Sequence, residues 1–445
     1  MRNIIFLLLF SLNFISDSSA QNKTKIKEES DQIIAWFKSG DFSKISNKVE
    51  FNYRSYFTAQ LFEKDWQELT GTYGKYVKHR YVTLESAGNY NMASCLMQLE
   101  YLPFVLNINF NEKFEILSLN FVPAHKIHVN PNYVDVEKFT EQKIIIRNGV
   151  YELESVLTTP IGNGPFPLVV IVGEAGPTDK DGSYENNRPY KDIASGLASK
   201  GYAVFRMDKR AANFGLYMVQ QKSNYESFTC KEDYLDDLYL ALDSLVKIPS
   251  IDKDKMVMLG HGQGGMLIPY IFKEKPYFKA GMMLGVNHKR VQEMMIDQYN
   301  YLSKVTPGKK AEYDEQIERA IRSMNKKLNP LTQHHLMPYD VQASYWVWLN
   351  KYPHVKMATK LKQPLVFFQG GRDYQVSDEN FELWKSSLAK KKNVAFFYYK
   401  KLNHIFFEGE TESTYSEYFV KGNIPDYLIK DMVDWLNKLD YTIKK

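Results

Sequence analysis

Met256-Val257-Met258-Leu259-Gly260-His261-Gly262-Gln263-Gly264-Gly265 is the stretch on which the reading of this chain turns. An apolar run of strand character ends in a glycine-rich turn, and helix-compatible residues follow over 265–272. Strand, cramped turn and helix make the layout of a nucleophile elbow, G-x-S-x-G. Glycines belong at its outer positions because neighbouring backbone passes close by and a side chain there clashes. Gly260 and Gly264 hold those positions, but the central one is Gly262. Glycine has no side chain and cannot attack a carbonyl.

Working outward, 445 residues are too many for one small domain and suit two. Hydrophobic residues at 44% and charged residues at 24% fit a globular protein with a substantial core. The net charge of +5 is spread along the chain without a basic block, which does not point to nucleic acid. Residues 1–20 read as a secretory signal peptide: Arg2, an apolar run over 4–15, then Ser18-Ser19-Ala20 before Gln21. No cysteine lies near the cut, so a lipid anchor is not expected, and no later stretch has the length and apolarity of a membrane span. The expectation is an exported protein, periplasmic or secreted. Cys95 and Cys230 have no metal-type spacing and read as two buried thiols rather than a disulfide. Neither a metal nor a cofactor is expected.

Residues 21–125 read as a small α+β domain. Ile33, Ile34, Trp36 and Phe37 form a helical stripe over 28–38, and Phe57, Leu61, Trp66 and Leu69 a second over 55–70. Strand patterns follow at 76–84, 92–101, 104–110 and 114–121, with Ala93, Cys95, Met97 and Leu99 on the more apolar face of the second. No convergent titratable cluster is evident there. A linker spans 123–131, and 132–445 form the second domain. Asn148-Gly149 marks a hairpin turn between strands at 143–147 and 150–157. Strands and helices then alternate. Strands are read at 168–172, 203–207, 256–259, 281–284, 365–368 and 395–399, and helices at 190–200, 233–247 and 426–439. Such alternation specifies an α/β fold, a mostly parallel sheet with helices on both faces. Ligands then bind beyond the carboxyl ends of the strands. From about 287 to 360 the alternation breaks, and an insertion there is read as a cap.

A serine hydrolase needs a base beside its nucleophile and a carboxylate to orient the base, here in the chain order nucleophile, acid, histidine. Asp373 follows the strand at 365–368 and His404 the strand at 395–399, both in the required order after Gly262. Either alone reads as an ordinary turn residue. Together with the elbow they read as an inherited acid–base site.

Further motifs carry a resemblance: Gly176-Pro177-Thr178-Asp179-Lys180-Asp181-Gly182, Asp208-Lys209-Arg210, Glu232-Asp233-Tyr234, Gly370-Gly371-Arg372-Asp373-Tyr374-Gln375-Val376 and Leu402-Asn403-His404. With the elbow, and with Pro269 in the helix after it, the chain resembles the EstD-like group of bacterial esterases, with an α/β-hydrolase fold and an extra N-terminal α+β domain. The resemblance implies acyl ester hydrolysis, with Gly262 where the family has serine, Asp373 as orienting acid and His404 as general base. It implies an oxyanion hole formed by the N–H groups of Gln263 and Ala175. It also exposes three departures: Gly262 itself, Gly173-Glu174 in place of the usual His-Gly, and Ala211-Ala212-Asn213 after the Asp-Lys-Arg motif. The second sets a carboxylate where negative charge is to be stabilised.

Several readings stay open at this stage. The chain is an impaired or binding-only esterase homologue, taking a small-molecule ester or an aryl or acyl ligand. Alternatively, a water in the space left by the missing hydroxymethyl group is activated by His404 and Asp373. In a third reading an esterase has been altered at position 262, or another hydroxyl such as Thr178 or Ser377 attacks. A non-enzymatic carbohydrate- or aryl-binding module, using Tyr345-Trp346, is the competitor from outside enzymology.

Overall fold

The computed structural model describes residues 5–87, 90–124, 127–220 and 227–439; the first four residues of the expected leader and residues 125–126 of the expected linker lie outside them. The chain divides into two compact units, Met1–Glu141 with Pro160–Gly162, and Gln142–Thr159 with Asn163–Lys445. Among the described residues no helix is long and apolar enough to cross a membrane.

In the first unit, strands β1 (Tyr76–Ala87), β2 (Tyr90–Leu99), β3 (Pro103–Phe110) and β4 (Ile116–Pro123) form an antiparallel sheet in sequence order. Ala93, Cys95, Met97 and Leu99 alternate along one face of β2 and are fully buried. Helices Ile5–Ser39 and Ala59–Tyr73 supply the opposing side chains: Phe37 meets Phe62 and Phe121 edge-on, and Leu69 packs with Leu99 and Phe104. Thr58 caps the second helix through the Leu61 N–H. The core position there is Phe62, not the expected Leu61, which is exposed. One residue is about 100° of helix, enough to exchange the two faces.

The second unit is an eight-stranded sheet in the order β12-β11-β10-β9-β7-β8-β6-β5. Its members are β5 (Phe139–Asn148), β6 (Tyr151–Pro160), β7 (Phe166–Val172), β8 (Ala203–Met207), β9 (Ile251–His261), β10 (Phe278–Leu284), β11 (Leu365–Gly370) and β12 (Val394–Tyr399). From β12 to β8 the pairing is parallel, and β6 joins β8 antiparallel. β7 and β11 are buried at every residue, as expected of strands covered on both faces. The chain runs from β7 outward to β8 and returns to β9 on the other side of β7. This reversal opens a crevice at the carboxyl ends of β7 and β9. Gly173-Glu174 leave β7 there, and Gly262 leaves β9.

The region expected to cap the site carries helices Val291–Val305, Lys310–Ser323, Ala343–Lys351 and His354–Lys360. The third is pinned to the elbow region: the Tyr345 hydroxyl accepts from Gln263 Nε2 at 2.6 Å and donates to Asp233 at 3.0 Å, and Ser344 Oγ donates to the Phe228 carbonyl. Two further expectations need correction. The helix after the elbow is two short ones, Gln263–Met266 and Ile268–Glu274, and Pro269 sits in the first turn of the second, where its missing N–H costs nothing. The helix expected to start at Asp233 opens as a π-turn, Lys231–Leu235, before Asp236–Leu245.

Candidate active site

β9 delivers Gly262 at φ 49° and ψ −117°, a backbone state that ordinary side chains rarely adopt. The turn is tight: a Cβ on Gly264 would lie 2.4 Å from the Gly173 carbonyl, and one on Gly260 2.4 Å from Gly265 Cα. The elbow geometry is therefore present in full, apart from a side chain at its apex.

Asp373 and His404 meet as their strand positions suggest. His404 Nδ1 lies 2.7 Å from Asp373 Oδ2, and the N–H groups of Gln375 and Val376 hold Asp373 Oδ1. The other imidazole nitrogen does not look across a water-sized gap at Gly262, as the missing hydroxymethyl group suggested. That space is filled. The Glu174 carboxylate reaches from the end of β7 and sets its Oε2 2.9 Å from His404 Nε2. A Cβ built on Gly262 would fall 1.4 Å from the same oxygen, the length of a C–O single bond. Glu174 Oε2 thus sits where a serine at 262 would carry its hydroxyl oxygen. The second carboxylate oxygen, Oε1, accepts from the N–H groups of Ala175 and of Gln263, the latter at 3.2 Å. The two donors expected to form an oxyanion hole therefore converge, and the oxygen they hold belongs to the protein.

The electrostatics follow from this packing. Burial disfavours the charge on His404, but Asp373 and Glu174, one on each ring nitrogen, outweigh it and lift the imidazole to about 10. Burial likewise opposes the Glu174 charge, and the hydrogen bond and charge of His404 overcome it, holding the carboxyl down at about 2. At neutral pH the site is a carboxylate–imidazolium–carboxylate row. His404 and Asp373 are sealed in side chain, whereas 17% of the Glu174 side chain stays open.

Tyr190, which no sequence motif singled out, and several residues of the quoted motifs hold the row in place. Tyr190, from helix Pro189–Ala198, accepts the Glu174 N–H at 3.0 Å and meets His261 Nδ1 at 2.9 Å. Its one proton therefore goes to Nδ1. The His261 Nε2 then carries a hydrogen and donates it to the His404 carbonyl at 2.9 Å. Burial and then the His404 charge push His261 down to about 4, consistent with this neutral tautomer. Glu174, His261 and His404 present ligand atoms close enough together to suggest a metal. However, both His261 nitrogens are hydrogen-bonded to other groups, and His404 Nε2 is bonded to the Glu174 carboxylate itself, so the trio as arranged does not fit one. Lys209 Nζ donates to the Glu174 carbonyl and to Asp233, while Arg210 pairs with Asp237 through two hydrogen bonds. The Asp208-Lys209-Arg210 motif is thus a brace for the Glu174 loop. Thr178 Oγ1 donates to the Glu174 carbonyl, and Ser377 precedes helix Asp378–Leu388; each serves a turn. Cys95 and Cys230 are both free and buried.

The first unit holds a group that its sequence did not reveal: Asp31 Oδ1 accepts from the Tyr81 hydroxyl at 2.7 Å and meets His79 Nε2 at 2.9 Å, and His79 Nδ1 meets the Tyr76 hydroxyl. It ties helix Ile5–Ser39 to β1.

No protein-family model matches the chain. Among solved structures, Est1E from Butyrivibrio proteoclasticus is 16% identical, with a TM-score of 0.42 over 66% of this chain and 99% of its own. The acylaminoacyl peptidase of Pyrococcus horikoshii is 14% identical, with a TM-score of 0.44 over 83% of this chain but only 57% of its own length. Neither likeness bears on function. The sequence comparison is of a different order: Esterase EstD of Thermotoga maritima is 31% identical over 334 residues, 74% of this chain and 76% of that protein. The chain therefore belongs to the family of Esterase EstD, esterase-like proteins of the α/β-hydrolase fold.

Proposed function

We propose that this protein is an esterase homologue that has lost acyl transfer through serine while keeping a ligand cleft and a charged Asp373–His404 pair. Its ligand is a small ester or an aryl or acyl compound, met outside the cytoplasm after cleavage behind Ala20. The observation that carries the reading is the seat of Glu174: its carboxylate takes both the place of a serine hydroxyl and the oxyanion donors. An ester carbonyl arriving at this site finds neither a hydroxyl to attack it nor free N–H groups to polarise it. Loss of the nucleophile alone typically costs about a million-fold in turnover, and loss of one oxyanion donor about a hundred- to a thousand-fold. His404, protonated between two carboxylates, has no free site for a proton from water. Incubation with a fluorophosphonate and with short-chain aryl esters tests the reading. No labelling and no burst of product are expected, and a labelled residue anywhere in the cleft sinks it. Sequencing the N-terminus of protein recovered from outside the cytoplasm tests the leader: Gln21 is expected first, and an intact 1–20 segment overturns that part.

A further inference from the structure

Three features of the Glu174 seat bear on whether its own carboxyl carbon is a reaction centre. Glu174 Oε2 stands in the position of an elbow nucleophile, beside His404 Nε2. Glu174 Oε1 lies between the N–H groups of Ala175 and Gln263, so these donors polarise the Glu174 carboxyl group rather than a substrate carbonyl. The side chain is held but not sealed. We propose that Glu174 is a carboxylate nucleophile that attacks a tetrahedral carbon, with a strained cyclic ether, an epoxide, as the substrate class. The inference rests on the reading that acyl transfer through serine is lost.

The chemistry of the groups present selects this class. Attack by a carboxylate on an ester carbonyl needs a vacant oxyanion hole, and here the attacking group fills it. Attack on a tetrahedral carbon needs no hole in the first step. In that step Oε2 forms a C–O bond to a ring carbon, the ring C–O bond breaks, and the released alkoxide takes the proton from His404 Nε2. The products are a glutamyl ester, a free hydroxyl on the neighbouring carbon and a neutral His404. In the second step His404 takes a proton from water, and the hydroxide adds to Glu174 Cδ. The negative charge develops on Oε1, between the two N–H groups already in place. Collapse breaks the bond from Cδ to Oε2-derived alkoxide, which takes the proton back from His404. The glutamic acid so formed then returns its proton to His404, restoring the starting row. The sum is epoxide plus water to a vicinal diol, with no other reactant. A substrate that passes through a cationic carbon, such as a glycoside, is disfavoured because that charge would form beside the imidazolium. An alkyl halide leaves without needing a proton and makes no use of it.

The test uses the wild-type protein, a panel of aryl- and alkyl-substituted terminal epoxides, and water enriched in oxygen-18. During repeated turnover the second step puts solvent oxygen into Glu174, so the peptide that contains it gains oxygen-18 only when epoxide is present. Acid quenching of the wild-type protein during turnover is expected to trap the ester, seen as the mass of one epoxide on that peptide, and His404→Gln, which lacks the proton donor of the first step, to trap far less. Glu174→Gln, checked for a cooperative melting transition well above the assay temperature, is expected to give no adduct and no diol. Diol formed with Glu174 unlabelled means that water attacks directly, and it overturns the inference; so does an adduct mapped to another residue, or the absence of both diol and adduct across the panel. Alkyl bromides form the second arm, and turnover of those alone overturns the assignment to epoxides. Fluorophosphonate labelling of the same preparation instead strikes at the loss of serine-type acyl transfer.

Discussion

Placing a serine at the elbow exposes how tightly positions 262 and 174 are coupled. In Gly262→Ser the new Cβ falls 1.4 Å from Glu174 Oε2, so the carboxylate must leave its seat. Leaving breaks its bonds with His404 and with the Ala175 and Gln263 N–H groups. Hydrogen bonds to charged groups contribute roughly 1.5–3 kcal/mol each, and water entering the partly open site recovers part of that, so about 3 kcal/mol for the set is a fair scale. A non-glycine residue at φ 49° adds strain of about 1–3 kcal/mol. Glu174→Gly alone loses the same three bonds without the strain. In the double variant those bonds are lost once, not twice. The two single losses should therefore exceed the double loss by about 3 kcal/mol, at the upper end of couplings between touching residues. Denaturant unfolding of the four proteins measures this directly. Activity should follow the same logic: the double variant frees both oxyanion donors and leaves His404 with Asp373 alone. It should react with fluorophosphonate and hydrolyse aryl esters, while Gly262→Ser alone reacts far more slowly. Losses that add to within about 0.5 kcal/mol, or full labelling of the single variant, refute the reasoning that Glu174 occupies the serine position.

The row also makes stability depend on pH in a defined way. His404 is raised from its ordinary 6.5 to about 10, so its contribution is full below about 6.5 and is lost as pH rises through 10. Glu174 is lowered from 4.5 to about 2, so its contribution is full above about 4.5 and is lost as pH falls through 2. The stability difference between wild type and Glu174→Gln is therefore expected to be largest between about pH 4.5 and 6.5 and to shrink towards pH 10; a difference that grows with alkalinity contradicts the imidazolium. Tyr190→Phe leaves the buried Glu174 N–H and His261 Nδ1 without partners and should cost about 1–3 kcal/mol in unfolding measurements. Tyr345→Phe removes the hydroxyl that joins Gln263 to Asp233, with a similar loss and faster proteolysis of the helix Ala343–Lys351; an unchanged digestion pattern argues against its pinning role.

What could be read from the sequence was whatever has a local cause. Glycines forced by close backbone approach mark the elbow, and unbroken apolar runs mark strands covered on both faces, as in β7. Chain order then places Asp373 and His404 at neighbouring strand ends. The seat of Glu174 has no such local cause. Its position one residue before Ala175 places a carboxylate near the oxyanion donors, but its reach to His404 spans 230 residues of chain. Which way the side chain turns depends on the missing Cβ across the crevice. The Tyr190–His261 bond, 71 residues apart, and the Asp31–His79 contact, 48 apart, are invisible for the same reason. Neither pair has a spacing that any motif records. The exchange of Leu61 for Phe62 in the first unit is a different kind of miss: both are apolar, and only the packing against Phe37 decides between them.

The fit between Gly262 and Glu174 also bears on whether the two residues depend on each other. A lone exchange of serine for glycine leaves the rest of an esterase site standing: a vacant oxyanion hole, a neutral base and a void the size of a hydroxymethyl group. Here the void holds an oxygen, the hole holds another, and both belong to one side chain on a different strand end. A glutamate at 174 with serine at 262 is equally awkward, since the hydroxymethyl group excludes the carboxylate from the His404 imidazole and from the Ala175 and Gln263 N–H groups. Each of the two residues is costly without the other, and together they satisfy every bond the site offers. Tyr190 holds the Glu174 N–H, and Lys209 and Thr178 hold its carbonyl, so the carboxylate is a built part of the site rather than a side chain that has fallen into a gap.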